Sequence, residues 1–167
     1  TISAWVYYKG VSTSTIIDNH RASSSLIHHG IRINASSNVE IYTRSSAASE
    51  TVAGGGADIS NGWHFITGVF TNNTDKKLYL DGINIANITS NTVCCILGDA
   101  DTINVGREGG SIPTNYFNGT IDEVAVWNKS LTDGEIKDLY RLDGATYYWK
   151  VNITDPLGAN NESIMRQ

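Results

Sequence analysis

Positive charge is scarce in this chain of 167 residues. It has 12 Lys and Arg side chains against 17 Asp and Glu, a net charge of −5 at pH 7, and only 17% charged residues in all. A protein that binds nucleic acid needs a basic surface to neutralise phosphates, so this composition argues against nucleic acid as a partner. Few charges with abundant Ser, Thr, Asn and Gly are typical of an exported, β-rich protein.

Long apolar runs are also missing. No stretch approaches the roughly 18 consecutive apolar residues of a membrane span, so this segment is not expected to be embedded in a membrane. No secretion signal is recognisable either. Thr1 already lies inside a strand pattern, which predicts that the chain was cut from a longer precursor. The length fits one domain with a short appendix.

Cysteine is limited to two adjacent residues, Cys94 and Cys95. Neighbouring residues of a strand point to opposite faces, and a disulfide between them would be strained. No disulfide framework can therefore form within one copy. We interpret the pair as small apolar side chains, at least one of them buried, with an intermolecular disulfide as the alternative.

Short strand-like runs recur along the chain with polar turns between them, a pattern that predicts an antiparallel β-sandwich. Asp81–Gly82 separates two apolar runs and predicts a hairpin with a type I′ turn. Gly54–Gly56 is expected to be an irregular loop, because it lacks the Lys and the helix start of a phosphate-binding loop. The predicted strands are Ile2–Tyr8, Thr15–Ile17, Ser25–His28, Ile31–Asn34, Val39–Tyr42, Phe65–Thr71, Leu78–Leu80, Ile83–Ala86, Ile103–Val105 and Ile121–Trp127.

The segment from Tyr116 to Tyr140 combines a strand with a short capped helix. Val124 and Val126 alternate with Ala125 and Trp127, as expected of a packed strand. The spacing that follows predicts a helix with a capping box at Thr132 and Glu135, a hydrophobic staple of Leu131 with Ile136, an apolar stripe of Ile136, Leu139 and Tyr140, and a stop at Gly144.

These segments resemble a laminin-G-like, concanavalin A-like domain of the lectin and glucanase type, related to pentraxins. Thr1–Lys9 resembles the opening strand of that family, Gly62–Phe70 its central strand, Lys77–Ala86 its hairpin, and Ile103–Gly110 the run before the closing strand. The resemblance extends to about Leu142. It implies an all-β, antiparallel jelly-roll sandwich over residues 1–144, with one short helix near residues 132–142.

The remaining residues, 145–167, have an alternation of their own, with Tyr147, Trp149 and Val151 on one face. About twenty residues cannot form an independent core. We interpret them as an extra strand of the domain or as a linker into a following immunoglobulin-like domain.

The resemblance implies one candidate metal ligand, Asp122. Related lectins and glucanases hold a structural calcium beside the acidic residue that opens the closing strand, with backbone carbonyls completing the six to eight oxygens that Ca²⁺ prefers. Glu123 would point to the opposite face of a regular strand, so the two residues are not expected to share an ion. The alternative is that Asp122 only accepts hydrogen bonds from loop N–H groups.

Catalysis is not expected. Glucanases of this fold carry Glu-x-Asp-x-Glu on one strand, which places a nucleophile and an acid/base about 5 Å apart on one face. This chain has six Glu residues, and no two are four positions apart. His28 and His29 should point to opposite faces rather than form a metal pair, and His64 is interpreted as a satisfied core residue.

Aromatic side chains are the usual tools of sugar binding, but none names a ligand here. Trp5, Trp63 and Trp127 occupy core positions of the resembled family, so burial is expected for each. Tyr116 is a looser candidate at a loop rim, as are Tyr7, Tyr8 and Tyr42.

Seven Asn-x-Ser/Thr sequons exceed the roughly three expected by chance in a chain of this composition. They predict a glycosylated surface and hence secretion or cell-surface display. The candidate sites are Asn34, Asn72, Asn87, Asn118, Asn128, Asn152 and Asn161.

The sequence is therefore interpreted as a non-catalytic recognition or adhesion module of a larger secreted or cell-surface protein. Its candidate partners are glycans and extracellular proteins, and its candidate cofactor is a structural Ca²⁺. The alternative is a structural spacer or assembly subunit without a small ligand.

Overall fold

The computed structural model describes residues 1–20, 28–46, 49–60, 62–91, 102–110, 112–142, 148–154 and 160–166. Within these ranges the chain forms a long series of short strands and one helix. In chain order they are β1 Ile2–Tyr8, β2 Ser14–His20, β3 His28–Ile33, β4 Asn38–Ser46, β5 Ser49–Asp58, β6 Trp63–Asn72, β7 Asp75–Leu80, β8 Ile83–Ile88, β9 Thr102–Val105, β10 Gly119–Val126, α1 Asp133–Leu142, β11 Tyr148–Thr154 and β12 Asn160–Arg166.

Ten of these strands form two five-stranded antiparallel sheets that pack as a sandwich. The first sheet has the order β10-β1-β6-β7-β8, and the second has the order β5-β4-β3-β2-β9. Strands distant in sequence are neighbours in both sheets, as the long connections of a jelly roll require. The predicted all-β jelly-roll sandwich with one short helix is confirmed.

The core lies between the two sheets and is built from alternate residues of nearly every strand. Burying these aliphatic side chains away from water is the main term that stabilises the sandwich. The buried members of this core are Ile2, Ala4, Val6, Tyr8, Ile16, Ile17, Ile31, Ile33, Val39, Ile41, Ile59, Ile66, Phe70, Leu78, Leu80 and Ile88.

Helix α1 begins at the capping box that the sequence predicts. The Thr132 N–H donates to Glu135 Oε2 at 2.8 Å, and the Glu135 N–H donates to Thr132 Oγ1 at 3.3 Å. These bonds satisfy two backbone donors that a helix start leaves without partners. Leu131 and Ile136 are both buried beside the helix start, as the predicted staple requires.

The helix covers part of the outer face of the first sheet and closes a second apolar cluster there. Trp5, Phe65, Val69 and Tyr79 come from the sheet, Leu131 and Ile136 lie at the start of the helix, and Trp127, Leu139 and Tyr140 pack against them. The Tyr79 hydroxyl donates to Asp133 Oδ1 at 2.6 Å, which ties the first turn of the helix to β7. Strand β1 is consequently buried on both faces.

The hairpin between β7 and β8 turns at Asp81 and Gly82, as predicted. Asp81 has φ 51° and Gly82 has φ 76°. Positive φ at both central residues defines a type I′ turn, whose twist matches that of the flanking strands. The prediction is confirmed.

The glycine run Gly54–Gly56 is part of strand β5, so the prediction of an irregular loop was wrong. A Cβ on Gly55 would lie 2.9 Å from Ile85 Cβ, and a Cβ on Gly54 would lie 3.0 Å from the carbonyl oxygen of Val39. Glycine therefore permits the edge strand β5 to approach its neighbours closely. The glycine run lacks the β-branched residues that identify strands from sequence.

Strands β11 and β12 pair with each other as an antiparallel hairpin, from Tyr148 opposite Arg166 to Thr154 opposite Asn160. The division of the chain at residue 144 stays a prediction. Cys94, Cys95 and Gly144 lie outside the described residues. In the described part of the chain, no helix has the length and apolarity needed to cross a membrane.

We expect Gly82→Val to destabilise the domain by about 2 kcal/mol or more, because a β-branched residue resists positive φ. Its Cβ would also press on the ring of Tyr140 at 3.3 Å. Gly56→Val is the matched control, since a Cβ there meets nothing within 4 Å. Urea unfolding of both variants checks this expectation, and equal losses of stability would contradict the turn geometry.

Candidate functional site

A cavity of about 260 Å³ opens on the outer face of the first sheet. It is lined by Trp5, Trp63, Asp122 and Glu123. The strand register explains this grouping, because Trp5 on β1 lies opposite Asp122 on β10 and Tyr7 lies opposite Trp63 on β6. Residues distant in sequence are thus brought to one patch of sheet surface.

The two indoles of the cavity play different parts. Trp5 is only 9% exposed and packs against Tyr140 of the helix, with ring centroids 5.8 Å apart, and against Phe65 at 5.4 Å. Trp63 is 46% exposed, so the expectation that it would be buried was wrong. It contacts Tyr7, with ring centroids 5.9 Å apart. Trp5 is a fixed wall, and Trp63 presents a ring to solvent.

A β-bulge places both carboxylates at the same cavity. Ser3 pairs with Ala125 while Trp5 pairs with Asp122, so β10 has one residue more than β1 between these pairs. Glu123 lies in this bulge with φ 45°, and its N–H donates to Asp122 Oδ1 at 2.8 Å. The expectation that Glu123 would point away from Asp122 assumed a regular strand and was wrong, because a bulge breaks the alternation of side chains.

The described residues fit a calcium ion at Asp122 poorly. The cavity offers two carboxylates and two indoles, and an indole supplies no oxygen, whereas Ca²⁺ prefers six to eight oxygens. Across the described part of the chain, no three His, Cys, Asp or Glu side chains are grouped as metal ligands. A calcium ion at Asp122 therefore stays a prediction.

The outer face of the second sheet is different, because a buried polar network fills it. The carboxylate of Asp18 accepts hydrogen bonds from the Tyr42 hydroxyl at 2.7 Å and the Gly109 N–H at 2.8 Å, and His28 Nδ1 lies 3.2 Å away. Burial alone would raise the pKa of Asp18, but the hydrogen bond and charge of His28, with those two donors, hold the pKa below its ordinary value.

Arginine side chains on this second face are occupied by glutamates. Arg32 donates to Glu40 at 2.9 Å and to Glu50 at 2.7 Å, and its guanidinium lies over the ring of Tyr42. Arg44 donates to Glu108. Because these guanidinium groups already face carboxylates, the second face is less suited to an acidic ligand than its arginine content suggests.

The histidines are placed largely as expected. His28 faces the Asp18 network, whereas His29 points into the core against Phe70, with ring centroids 5.0 Å apart, so the two rings do lie on opposite faces. His64 is hydrogen-bonded to Asp81 Oδ2 at 2.8 Å. It is half-buried, so its assignment to the core was wrong although it is satisfied.

The tyrosines considered as sugar-binding candidates differ in how far they are buried. Tyr8 and Tyr42 are buried, whereas Tyr116 is 62% exposed and lies outside the cavity lining. Trp127 is partly buried beside the helix cluster. Sequence patterns missed Trp63 as a site residue, and the one available signal was its place directly after the Asn-Gly pair of the sequence at positions 61–62, at the start of β6.

We expect the stability of the domain to fall between pH 7 and about pH 4.5, partly through His29. Burial lowers the pKa of His29 from 6.5 to about 4. Its contribution is therefore full above pH 6.5, where both states are neutral, and is lost as the pH falls towards 4 because only the unfolded chain takes up the proton. The loss is about 2 kcal/mol at pH 4.5.

Urea unfolding at both pH values measures this loss. His29→Gln should reduce the pH dependence of the stability. Identical pH dependence in the wild type and His29→Gln would show that His29 is not the buried neutral group. Comparing slopes rather than absolute stabilities removes the cost of the substitution itself.

Comparison with known proteins shows the family and the fold. A family model described as the concanavalin A-like lectin/glucanases superfamily (Laminin_G_3) matches residues 1–137. No significant match was found among curated protein sequences. Solved structures do match, at sequence identities below 20% for the three described next, so their likeness shows the fold alone.

The CBM40 domain of the Ruminococcus gnavus IT-sialidase, solved with α2,3 sialyllactose, has a TM-score of 0.69 and 15% identity, over 83% of this chain and 80% of that one. A heptameric SAP-like pentraxin from Limulus polyphemus has a TM-score of 0.65 and 13% identity, over 86% and 70%. Botulinum neurotoxin type C, whose cell entry depends on two ganglioside molecules, has a TM-score of 0.59 and 19% identity, over 93% and 39%.

The family match covers most of the chain, and the observed sandwich has the architecture that this match implies. The cavity beside Trp63, with two carboxylates on its rim, is a local feature set on that common framework. This chain belongs to the concanavalin A-like lectin/glucanase superfamily.

Proposed function

We propose that the chain is a non-catalytic carbohydrate-binding module of a larger secreted or cell-surface protein, with a sugar ring lying against Trp63. The observation that carries this proposal is an indole, 46% exposed, beside a cavity whose lining also includes two carboxylates. An exposed tryptophan at a concave site is the kind of group that a ligand covers.

The chemistry of the cavity suits a sugar. A pyranose has an apolar C–H face that packs on a flat aromatic ring, and hydroxyl groups that need acceptors. Trp63 supplies the ring, and Asp122 and Glu123 supply ionised acceptors, whose hydrogen bonds are stronger than those of neutral groups. Trp5 is held by the helix cluster, so the cavity needs little rearrangement before binding.

The comparisons support the same class of ligand. Proteins of this fold include the CBM40 domain solved with sialyllactose and the botulinum neurotoxin that interacts with gangliosides. A fold by itself does not fix a ligand, because unrelated functions share scaffolds. The comparisons therefore add weight to a sugar, while the position and type of site rest on the residues of this chain.

Four sequon residues support a secreted or cell-surface location, with glycans or extracellular proteins as partners. Asn72, Asn87, Asn118 and Asn128 are exposed, so their amides are accessible to glycosylation. Asn34 is less suited, because its Nδ2 donates to Glu40 Oε1 at 2.7 Å and an attached glycan would disturb that bond. Asn152 and Asn161 lie in the terminal hairpin.

The second candidate function is a structural spacer without a small ligand. The network on the second sheet favours it, because the hydrogen bonds of Asp18, Arg32 and Arg44 lie within the chain. A face filled in this way stabilises the domain rather than offering groups to a ligand.

Trp63→Ala should weaken sugar binding about tenfold or more, because it removes the stacking surface. Tyr116→Ala is the control, since it removes an exposed aromatic ring outside the cavity and should leave binding unchanged. The measurement is a screen against diverse polysaccharides at high protein concentration, with an unrelated β-sandwich for background, followed by titration of the best ligand by NMR.

Single-site affinity is expected to be weak, and repeated modules would supply strong attachment. Absence of binding across the whole panel would favour the spacer. A loss of binding in Tyr116→Ala but not in Trp63→Ala would move the sugar to the loop rim.

A further inference from the structure

The rim of the Trp63 cavity carries two carboxylates that have no ion-pair partner among the described residues. Asp122 and Glu123 both line the cavity, both are exposed, and neither forms an ion pair within the described part of the chain. By contrast, the glutamates of the second face are paired with arginines. Two unpaired carboxylates at one concave site produce a potential that attracts cations and repels anions.

An ammonium group lies beside this site, over the ring of Tyr7. Lys9 Nζ is 5.2 Å from the centroid of the Tyr7 ring, and Tyr7 contacts Trp63. Lys9 is therefore held over an aromatic ring that is not part of the cavity lining. The Tyr7 ring beside Trp63 thus already accepts an ammonium group, as the negative face of an aromatic ring does in general.

The size and walls of the cavity limit the ligand further. About 260 Å³ is below the range of about 300–1,000 Å³ that encloses drug-sized ligands, so the cavity has room for a single sugar ring, either free or as one unit of an oligosaccharide. The indole of Trp63 attracts both a C–H face and a cation. A carboxylate on the ligand would instead face Asp122 and Glu123, and like charges in contact oppose binding.

We propose that the Trp63 cavity binds an amino sugar, a hexose ring with a free, protonated amine, in preference to acetylated or acidic sugars. This inference rests on the proposed carbohydrate-binding function and specifies its ligand class. The ring packs on Trp63 while the ammonium group donates to Asp122 and Glu123. Acetylation removes the positive charge, and a sugar carboxylate reverses it, so both changes remove the favourable contact with the rim.

The test compares two matched pairs of ligands on the full chain, by calorimetry at about pH 6, where the amine of the sugar is protonated. The first pair is a glucosamine trimer and its N-acetylated form, and the second is lactose and 3′-sialyllactose. We expect the glucosamine trimer to bind about tenfold more tightly than the acetylated trimer, a preference that decreases as salt screens the charges. Sialyllactose should bind no better than lactose.

Two variants assign the preference to residues. The double variant Asp122→Asn, Glu123→Gln keeps Trp63 and should bind the two trimers about equally. Glu40→Gln, Glu50→Gln is the matched control, because it also removes two carboxylates but on the opposite face of the sandwich. That control should keep the tenfold preference.

The outcomes separate the two proposals. If no sugar binds, the carbohydrate-binding function fails and the inference with it. If the acetylated trimer or sialyllactose binds as well as the glucosamine trimer or better, the function stands and the inference is overturned. The same titrations are repeated with EDTA and with added Ca²⁺, and a strict requirement for calcium would make the carboxylates metal ligands and likewise overturn the inference.

Discussion

The short helix α1 determines which part of the outer face of the first sheet is buried and which part stays exposed. The outer face of the first sheet carries Trp5, Phe65 and Tyr79, which must be covered, and α1 covers them with Leu131, Ile136 and Tyr140. A helix of ten residues is about 15 Å long and cannot cover a sheet of five strands. The aromatic ring that remains uncovered is Trp63. The cavity thus lies at the boundary between the part of the sheet that the helix covers and the part that stays exposed.

The two outer faces of the sandwich are shielded from water in different ways. The first is covered by a hydrophobic cluster, which leaves a vacant edge. The second is closed by hydrogen bonds around Asp18, where a Cβ on Gly109 would lie only 2.3 Å from His20 Nδ1, so the loop fits against the sheet without a gap. Buried polar groups are costly unless fully paired, which makes such a face rigid and intolerant of change. Substitutions should therefore be tolerated better around the Trp63 cavity, on the face that carries the helix, than on the second face.

Most of the fold could be predicted from the sequence, because the elements that specify it are local. The strand Ile2–Tyr8, the Asp81–Gly82 turn and the capping box of α1 each depend on a few neighbouring residues. The predictions that were wrong concern residues whose positions depend on contacts between strands distant in sequence. Gly54–Gly56 belongs to a strand that pairs with β4, where glycine lets Ile85 of β8 approach, and Glu123 lies at the cavity because β10 has one residue more than β1 at the bulge. Local propensity carries no information about such contacts. The candidate site could therefore not be predicted from the sequence, because strand pairing brings its residues together.

The bulge in β10 also determines how the acidic pair at the cavity can differ between relatives. Strand β10 has one extra residue between the residues that pair with Ser3 and Trp5, and this extra residue turns Glu123 towards Asp122. Whether both acidic residues lie on one face therefore depends on the length of the strand as well as on residue type. A relative with identical acidic residues but one residue fewer in this strand would have a regular alternation and only one carboxylate at the rim. Conversely, a relative with the extra residue could change both side chains and keep the geometry. The number of carboxylates at this rim can therefore change by insertion or deletion of one codon, while the core and the helix remain as they are.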